Sequence, residues 1–168
     1  IKRLNIINSV SGIKPANLIG TISNESQPNL AVFSSVVHLG SNPPMLGFVL
    51  RPNQDVRRHT YENILEKGYY TINHIHQSFY KNAHYTSAKL DKATSEFSAC
   101  NLTEEYLFDF PSPFVKESQL KMGLKHIESD HIEVNNTYMI VGENENLVFP
   151  ENTIDEHGYI DLSADQDV

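Results

Sequence analysis

The sequence predicts a mainly β protein, an antiparallel β-barrel with a few short helices. Three observations carry this. Apolar runs rich in β-formers recur along the chain, separated by turn clusters of Asn, Ser and Pro. Leu120, Met122 and Leu124 alternate cleanly with Lys121 and Lys125, the period-two mark of a half-buried antiparallel strand. Strands and helices do not alternate regularly, as a parallel α/β sheet would require.

The elements follow in order. Ala16–Ser23 is an apolar run, Asn24–Asn29 a turn cluster, and Leu30–Gly40 apolar again, which reads as a hairpin with a loop longer than two residues. Ser41–Pro44 breaks the chain, because two prolines cannot sit in a central strand. Met45–Arg51 is apolar on both faces and reads as a buried strand. Pro52, Asn53 and Asp55 make a loop. A helix follows, with Thr60 as N-cap, Asn63 three residues on, Ile64 and Leu65 as the apolar stripe and Gly68 as C-cap. Tyr69–His76 is a strand, and Ser78–Leu90 has moderate helical spacing at Phe79, Ala83 and Ala88. The pattern weakens from Asp91 to Glu117. Leu120–Ile127 and Asn136–Phe149 are the late strands, the second expected to bend or bulge at Gly142.

The chain has 168 residues, enough for one domain with a real core, which we place at about 16–149. An acidic tail follows, expected to stop short of the native terminus, and with no initial Met a native N-terminus is expected to be missing as well. With 13 Lys+Arg against 21 Asp+Glu, the net charge is −8, which argues against nonspecific nucleic-acid binding. No transmembrane-length apolar run or signal-peptide pattern appears, so no membrane role is expected. A single cysteine, Cys100, excludes an internal disulfide framework and makes a reducing, cytoplasmic setting the simpler expectation.

The acidic chain nevertheless places three of its four arginines, Arg51, Arg57 and Arg58, just ahead of the predicted helix. A helix N-terminus offers unpaired N–H groups and partial positive charge, a ready site for phosphate. Thr60 adds a hydroxyl and the arginines add charge-assisted forks. The competing reading is that Arg57 and Arg58 are solvated and pair weakly with Glu62 or Glu66.

The stretch from Asn29 to Ile64 resembles the flavin reductase-like family, the FMN-binding split β-barrels of Greek-key-like antiparallel topology, with the flavoredoxin-type members as the nearest subgroup. The residues that carry the resemblance are Asn29–Ser35, the Pro43–Pro44 turn, Met45–Leu50 and the Thr60-x-x-Asn63-Ile64 helix start. It continues through Tyr69–His76 and, weakly, through Ala88–Phe97, and resumes at Tyr138–Phe149. The resemblance implies a homodimer with FMN near the interface. It implies that Phe33, Ser34, Ser35, Val36, Leu50 and Arg51 line the ring and ribityl chain. Arg51, His59 and Thr60 would reach the phosphate, with Arg57 or Arg58 as further candidates. Asn63 of the helix start is counted with these ligands, and Tyr85 and Lys89 approach the flavin. NAD(P)H or a redox protein partner would be the electron source.

The chain departs from the family in one place. Many members carry Gly-Asp-His before the late strand; here Thr137 stands in place of that His and Asn144 in place of the usual Val. That shifts the expectation from fast NAD(P)H:flavin reduction towards a tightly bound FMN acting as an electron carrier. Two alternatives stand beside this: a non-catalytic flavin-binding protein for storage or sensing, and a metal-binding barrel using His74 and His76 with help from His84, His126 or His131. No Gly-x-Ser-x-Gly elbow, Gly-x-Gly-x-x-Gly or P-loop is present.

Overall fold

The structure is a computed structural model that describes residues 2–51, 59–88, 90–91 and 94–163. A helix α1 (Lys2–Val10) is followed by β1 (Asn17–Ile22), β2 (Pro28–Phe33), β3 (Val37–Ser41) and β4 (Pro44–Leu50). Then come α2 (His59–Lys67), β5 (Tyr69–His74), α3 (Tyr80–Tyr85), α4 (Glu96–Ala99), β6 (Glu104–Glu105) and β7 (Phe114–Val115). Two long strands, β8 (Lys121–Ile132) and β9 (Thr137–Val148), complete the sheet. Seven strands form one antiparallel sheet in the order β2-β1-β5-β8-β9-β4-β3, and β6 and β7 make a separate ribbon.

The two ends of the sheet curl towards each other. Phe33 at the end of β2 packs edge-on against Phe48 of β4, with ring centroids 4.9 Å apart. Beyond that contact the Ser35 hydroxyl donates to Val49 O and accepts from Val49 N–H, both at 3.1 Å. Among the described residues no ladder joins β2 to β4, so the barrel is closed by side chains and remains split along that seam.

Both faces of the central strands are covered. Ile19, Phe48, Tyr70, Ile72, Leu124 and Ile140 fill the barrel interior. On the other face of β1, Leu18 packs with Leu30, Phe79, Phe97 and Val115 beneath α3 and α4. Adjacent residues of a strand point to opposite faces, which is why the early strands read as continuous apolar runs.

Several sequence expectations are corrected. The run Leu30–Gly40 is two strands, because the chain leaves the sheet at Ser34–Val36 to cross the seam. Thr60 lies inside α2, which starts at His59, and Leu65 is exposed; Gly68, at φ +73°, does end the helix, its N–H donating to Ile64 O. The predicted helix over 78–90 contracts to α3, and α1 has no counterpart in the sequence reading. The late hairpin bulges at Ile127 and Glu145, not at Gly142. Gly142 is instead a seat for Tyr70: a Cβ there would strike the Tyr70 hydroxyl.

Lys121 is not on a solvated face. The β6–β7 ribbon covers that face of β8, and Lys121, with 6% of its side chain exposed, pairs with Glu105 and donates to Val115 O. Lys121→Ala is expected to cost about 3 kcal/mol, the low end for breaking a buried pair, because Glu105 still reaches water. Urea unfolding at unchanged m-value would measure it; a shift in stability below about 1 kcal/mol would show the pair to be dispensable.

Candidate functional site

A cavity of about 770 Å³ opens beside the seam, within the size range of cofactor sites. One wall is β2, through Ala31, Val32 and Phe33; another is the end of β4, through Val49, Leu50 and Arg51. The start of α2 supplies His59 and Thr60. The far side is His84, Thr86, Ser87, Ala88 and Leu90 together with Glu96 of α4. The walls are apolar along the strands and polar where α2 begins. That suits a flat ring with a charged tail.

The helix start is braced from behind. Asn29 Nδ2 donates to Thr60 Oγ1 at 3.1 Å and to Thr21 Oγ1 at 3.3 Å, while Asn63 Nδ2 donates to Thr21 Oγ1 at 3.1 Å. These buried side chains tie the first turn of α2 to β1 and β2. The bond from Asn29 holds the Thr60 hydroxyl in the cavity wall. The nine-residue α2 adds the N–H groups and partial positive charge of its first turn. Arg51, exposed at the rim, adds a full charge.

Glu96 brings the opposite sign. It lines the cavity, is only 9% exposed, and its Oε2 accepts from Leu30 N–H at 3.0 Å. Burial raises its carboxyl above the ordinary carboxylate range; the N–H groups of Leu30 and Glu96 itself, and His59 nearby, draw it partway back. His59 and Glu96 also share a small polar niche of about 10 Å³ behind the cavity, with Ser23, Asn29 and Asn63.

Of the residues named from sequence, Phe33, Ser34, Ser35, Leu50, Arg51, His59 and Thr60 meet in this cavity. The Ser35 hydroxyl is engaged with Val49, so it holds the strand crossing in place. Val36 packs against the barrel interior, Asn63 faces the niche, and Tyr85 is exposed, although its neighbours His84 and Thr86 line the cavity. Arg57, Arg58 and Lys89 lie outside the described residues. Asn29 and Glu96 were missed by sequence reasoning. Glu96 had one signal, Ser95 before it, which caps α4 by accepting from Phe97 N–H.

Thr137 begins β9, one residue before Tyr138, which pairs with Leu50. It therefore stands by the β4 end of the cavity without lining it. Its hydroxyl donates to Asn135 Oδ1 at 2.7 Å. Among the described residues no group of three or more His, Cys, Asp or Glu could hold a metal ion. His76 pairs with Ser78, His126 with Ser129 and His131 with Asn136. No helix of the described residues is long and apolar enough to cross a membrane.

Comparison with known proteins bears on the whole chain. The sequence model of the flavin reductase like domain matches residues 13–162. A split barrel domain protein from Shewanella frigidimarina NCIMB 400, provisionally assigned as a flavin reductase, is 49% identical over 99% of this chain and 82% of its own, with a TM-score of 0.95. Nitrilotriacetate monooxygenase component B from Bacillus cereus shares the fold at 19% identity, covering 99% of this chain and 84% of its own, TM-score 0.89. So does flavoredoxin of Desulfovibrio vulgaris (Miyazaki F), at 24% identity over 90% and 78% of the two chains, TM-score 0.76.

Proposed function

The chain belongs to the flavin reductase like family, with the split-barrel fold, and from that premise we propose that it binds FMN in the cavity beside the seam and works as an oxidoreductase. The observation that carries this reading is the division of the cavity: apolar strand walls at one end, and at the other Thr60, Arg51 and the N-terminus of α2. That polar end fits a phosphomonoester, which carries about −1.5 to −2 charge at neutral pH. Riboflavin lacks this group, so the same end selects FMN over riboflavin.

FMN held here would supply the redox chemistry, with NAD(P)H or a redox protein as the electron source. The chain's own residues hold and orient. Phe33 and Leu50 exclude water from one side of the cavity. Asn29 holds the Thr60 hydroxyl in place at the phosphate end. Arg51 neutralises part of the phosphate charge at the rim. A second copy of the chain over the open side of the cavity completes the site in this reading, as a homodimer working in the cytoplasm.

One observation favours a second reading, a flavin-binding protein without NAD(P)H turnover. Position 137 carries a threonine whose hydroxyl is committed to Asn135, so no titratable group stands there. Stopped-flow mixing of the flavin-loaded protein with NADH and NADPH separates the two. Bleaching of the flavin band is the expected result for an NAD(P)H oxidoreductase. A flavin that stays oxidised with both donors removes direct reduction and leaves a protein donor or storage.

The visible spectrum of the purified protein tests the proposal as a whole. Flavin bands as isolated, or a shifted flavin spectrum on adding FMN, are expected. A protein that stays colourless and binds no FMN overturns it.

A further inference from the structure

An anion site with a carboxylate in its wall carries an electrostatic conflict. Glu96 and Thr60 line one cavity, and Glu96 is nearly buried, so a phosphate at the start of α2 would bring a dianion into the same cavity as an ionised carboxylate that water screens poorly. Like charges at close range repel more strongly in a low-dielectric site than in water. Among the described residues, the groups facing Glu96 from the elements around it are Leu30 N–H of β2, His59 of α2 and Cys100 at the end of α4, with Arg51 and His84 lining the same cavity. Among these Arg51 alone carries a fixed positive charge, and it lies exposed at the rim.

We propose that phosphomonoester binding in this cavity is proton-linked through Glu96: the carboxylate takes up one proton from solvent as the phosphate enters. The charge added to the cavity then falls by one, and the neutral carboxyl gains an O–H that can donate to a phosphate oxygen. The bond to Leu30 N–H survives, because a protonated carboxyl still accepts through its carbonyl oxygen. Glu96 is thus a positioning residue with a second duty. It holds the outer edge of β2 in both states and adjusts its charge to the ligand.

Burial already raises the Glu96 carboxyl in the free protein, and an adjacent dianion raises it further. The sign follows. Where the bound-state value exceeds the free-state value, protons are taken up on binding and affinity rises as pH falls. The FMN phosphate itself protonates near pH 6, so the window to inspect lies above that, from about pH 6.5 to 8.

This inference rests on the phosphate reading of the cavity, and the experiment separates the two. FMN and riboflavin are titrated calorimetrically into the full-length protein freed of flavin, in buffers of different ionisation enthalpy, for the wild type and for Glu96→Gln. Expected for the wild type is uptake of about half a proton or more with FMN and near zero with riboflavin. Glu96→Gln keeps the acceptor for Leu30 N–H and should lose at least half of that uptake. FMN binding tighter than riboflavin, with no uptake or with uptake unchanged in Glu96→Gln, overturns the proton link and leaves the phosphate site standing. Equal affinity for the two ligands, or no binding, overturns both. Should Glu96→Gln fail to fold, the wild type alone decides: FMN affinity must tighten relative to riboflavin as pH falls from 8 to 6.5, and a flat ratio overturns the proposal.

Discussion

Gly20→Ala is expected to destabilise the protein by more than about 3 kcal/mol, the upper part of the range for overpacking a core. A Cβ at Gly20 runs into the backbone carbonyl oxygen of Pro113 and comes within 2.5 Å of Thr71 Oγ1. Neither neighbour can step aside cheaply. Thr71 Oγ1 donates to Pro113 O at 2.7 Å, Ser112 Oγ donates to Tyr69 O at 2.9 Å and Val115 N–H donates to Asn73 Oδ1 at 2.9 Å, so this segment is pinned to β5 at the contact and on both sides of it. Moving it means losing those bonds and part of the cluster around Val115. For a domain of this size the shift corresponds to a fall in melting temperature of roughly 10 °C. Gly40→Ala is the control, since its Cβ meets only Pro43 O at an ordinary 3.5 Å. If both variants melt within about 2 °C of the wild type, the close approach of Pro113 to β1 is wrong.

The largest functional effect is expected from the polar end of the cavity. Arg51→Ala and Thr60→Val should each weaken FMN binding by roughly tenfold or more, one charge-assisted or pre-aimed hydrogen bond apiece. Combined, they should approach a hundredfold if the two contacts are independent. Riboflavin binding should change by less than about threefold in either variant, because the lost groups face the phosphate alone. Thr60→Val keeps the shape of the side chain but leaves Asn29 Nδ2 with only Thr21 as acceptor. A thermal melt therefore accompanies the titration, to separate a loosened helix start from a lost phosphate contact. Fluorescence quenching of FMN reads the affinity. Unchanged FMN affinity in both variants would refute the phosphate assignment.

The early strands were legible in the sequence as apolar runs, and β1 and β5 are indeed buried on both faces. The family resemblance pointed to the same helix start that closes the cavity. What escaped was set by tertiary contact. The split of Leu30–Gly40 into two strands depends on the Ser35–Val49 bonds across the seam, which no local pattern encodes. Lys121 looked solvated because alternation describes one strand and is blind to a ribbon laid over it. Glu96 sits in the stretch where periodicity fades, and its partner Leu30 is far away in sequence. A buried carboxylate of that kind is visible only once the chain is folded.

The strand order also has a consequence for how the protein is made. Every wall of the cavity except the His84–Glu96 side is encoded before Gly68, yet β4 finds its central partner only in β9, where Leu50 meets Tyr138 and Met45 meets Glu143. On the ribosome the β3–β4 hairpin must therefore wait with one edge open until nearly the whole chain has emerged. Such long-range pairing is slow, and an open edge exposed meanwhile is prone to wrong partners. A nascent chain ending before Thr137 would carry every described lining residue of the cavity while β4 still lacked its central partner, so acquisition of the cofactor belongs to the last stage of synthesis or after release.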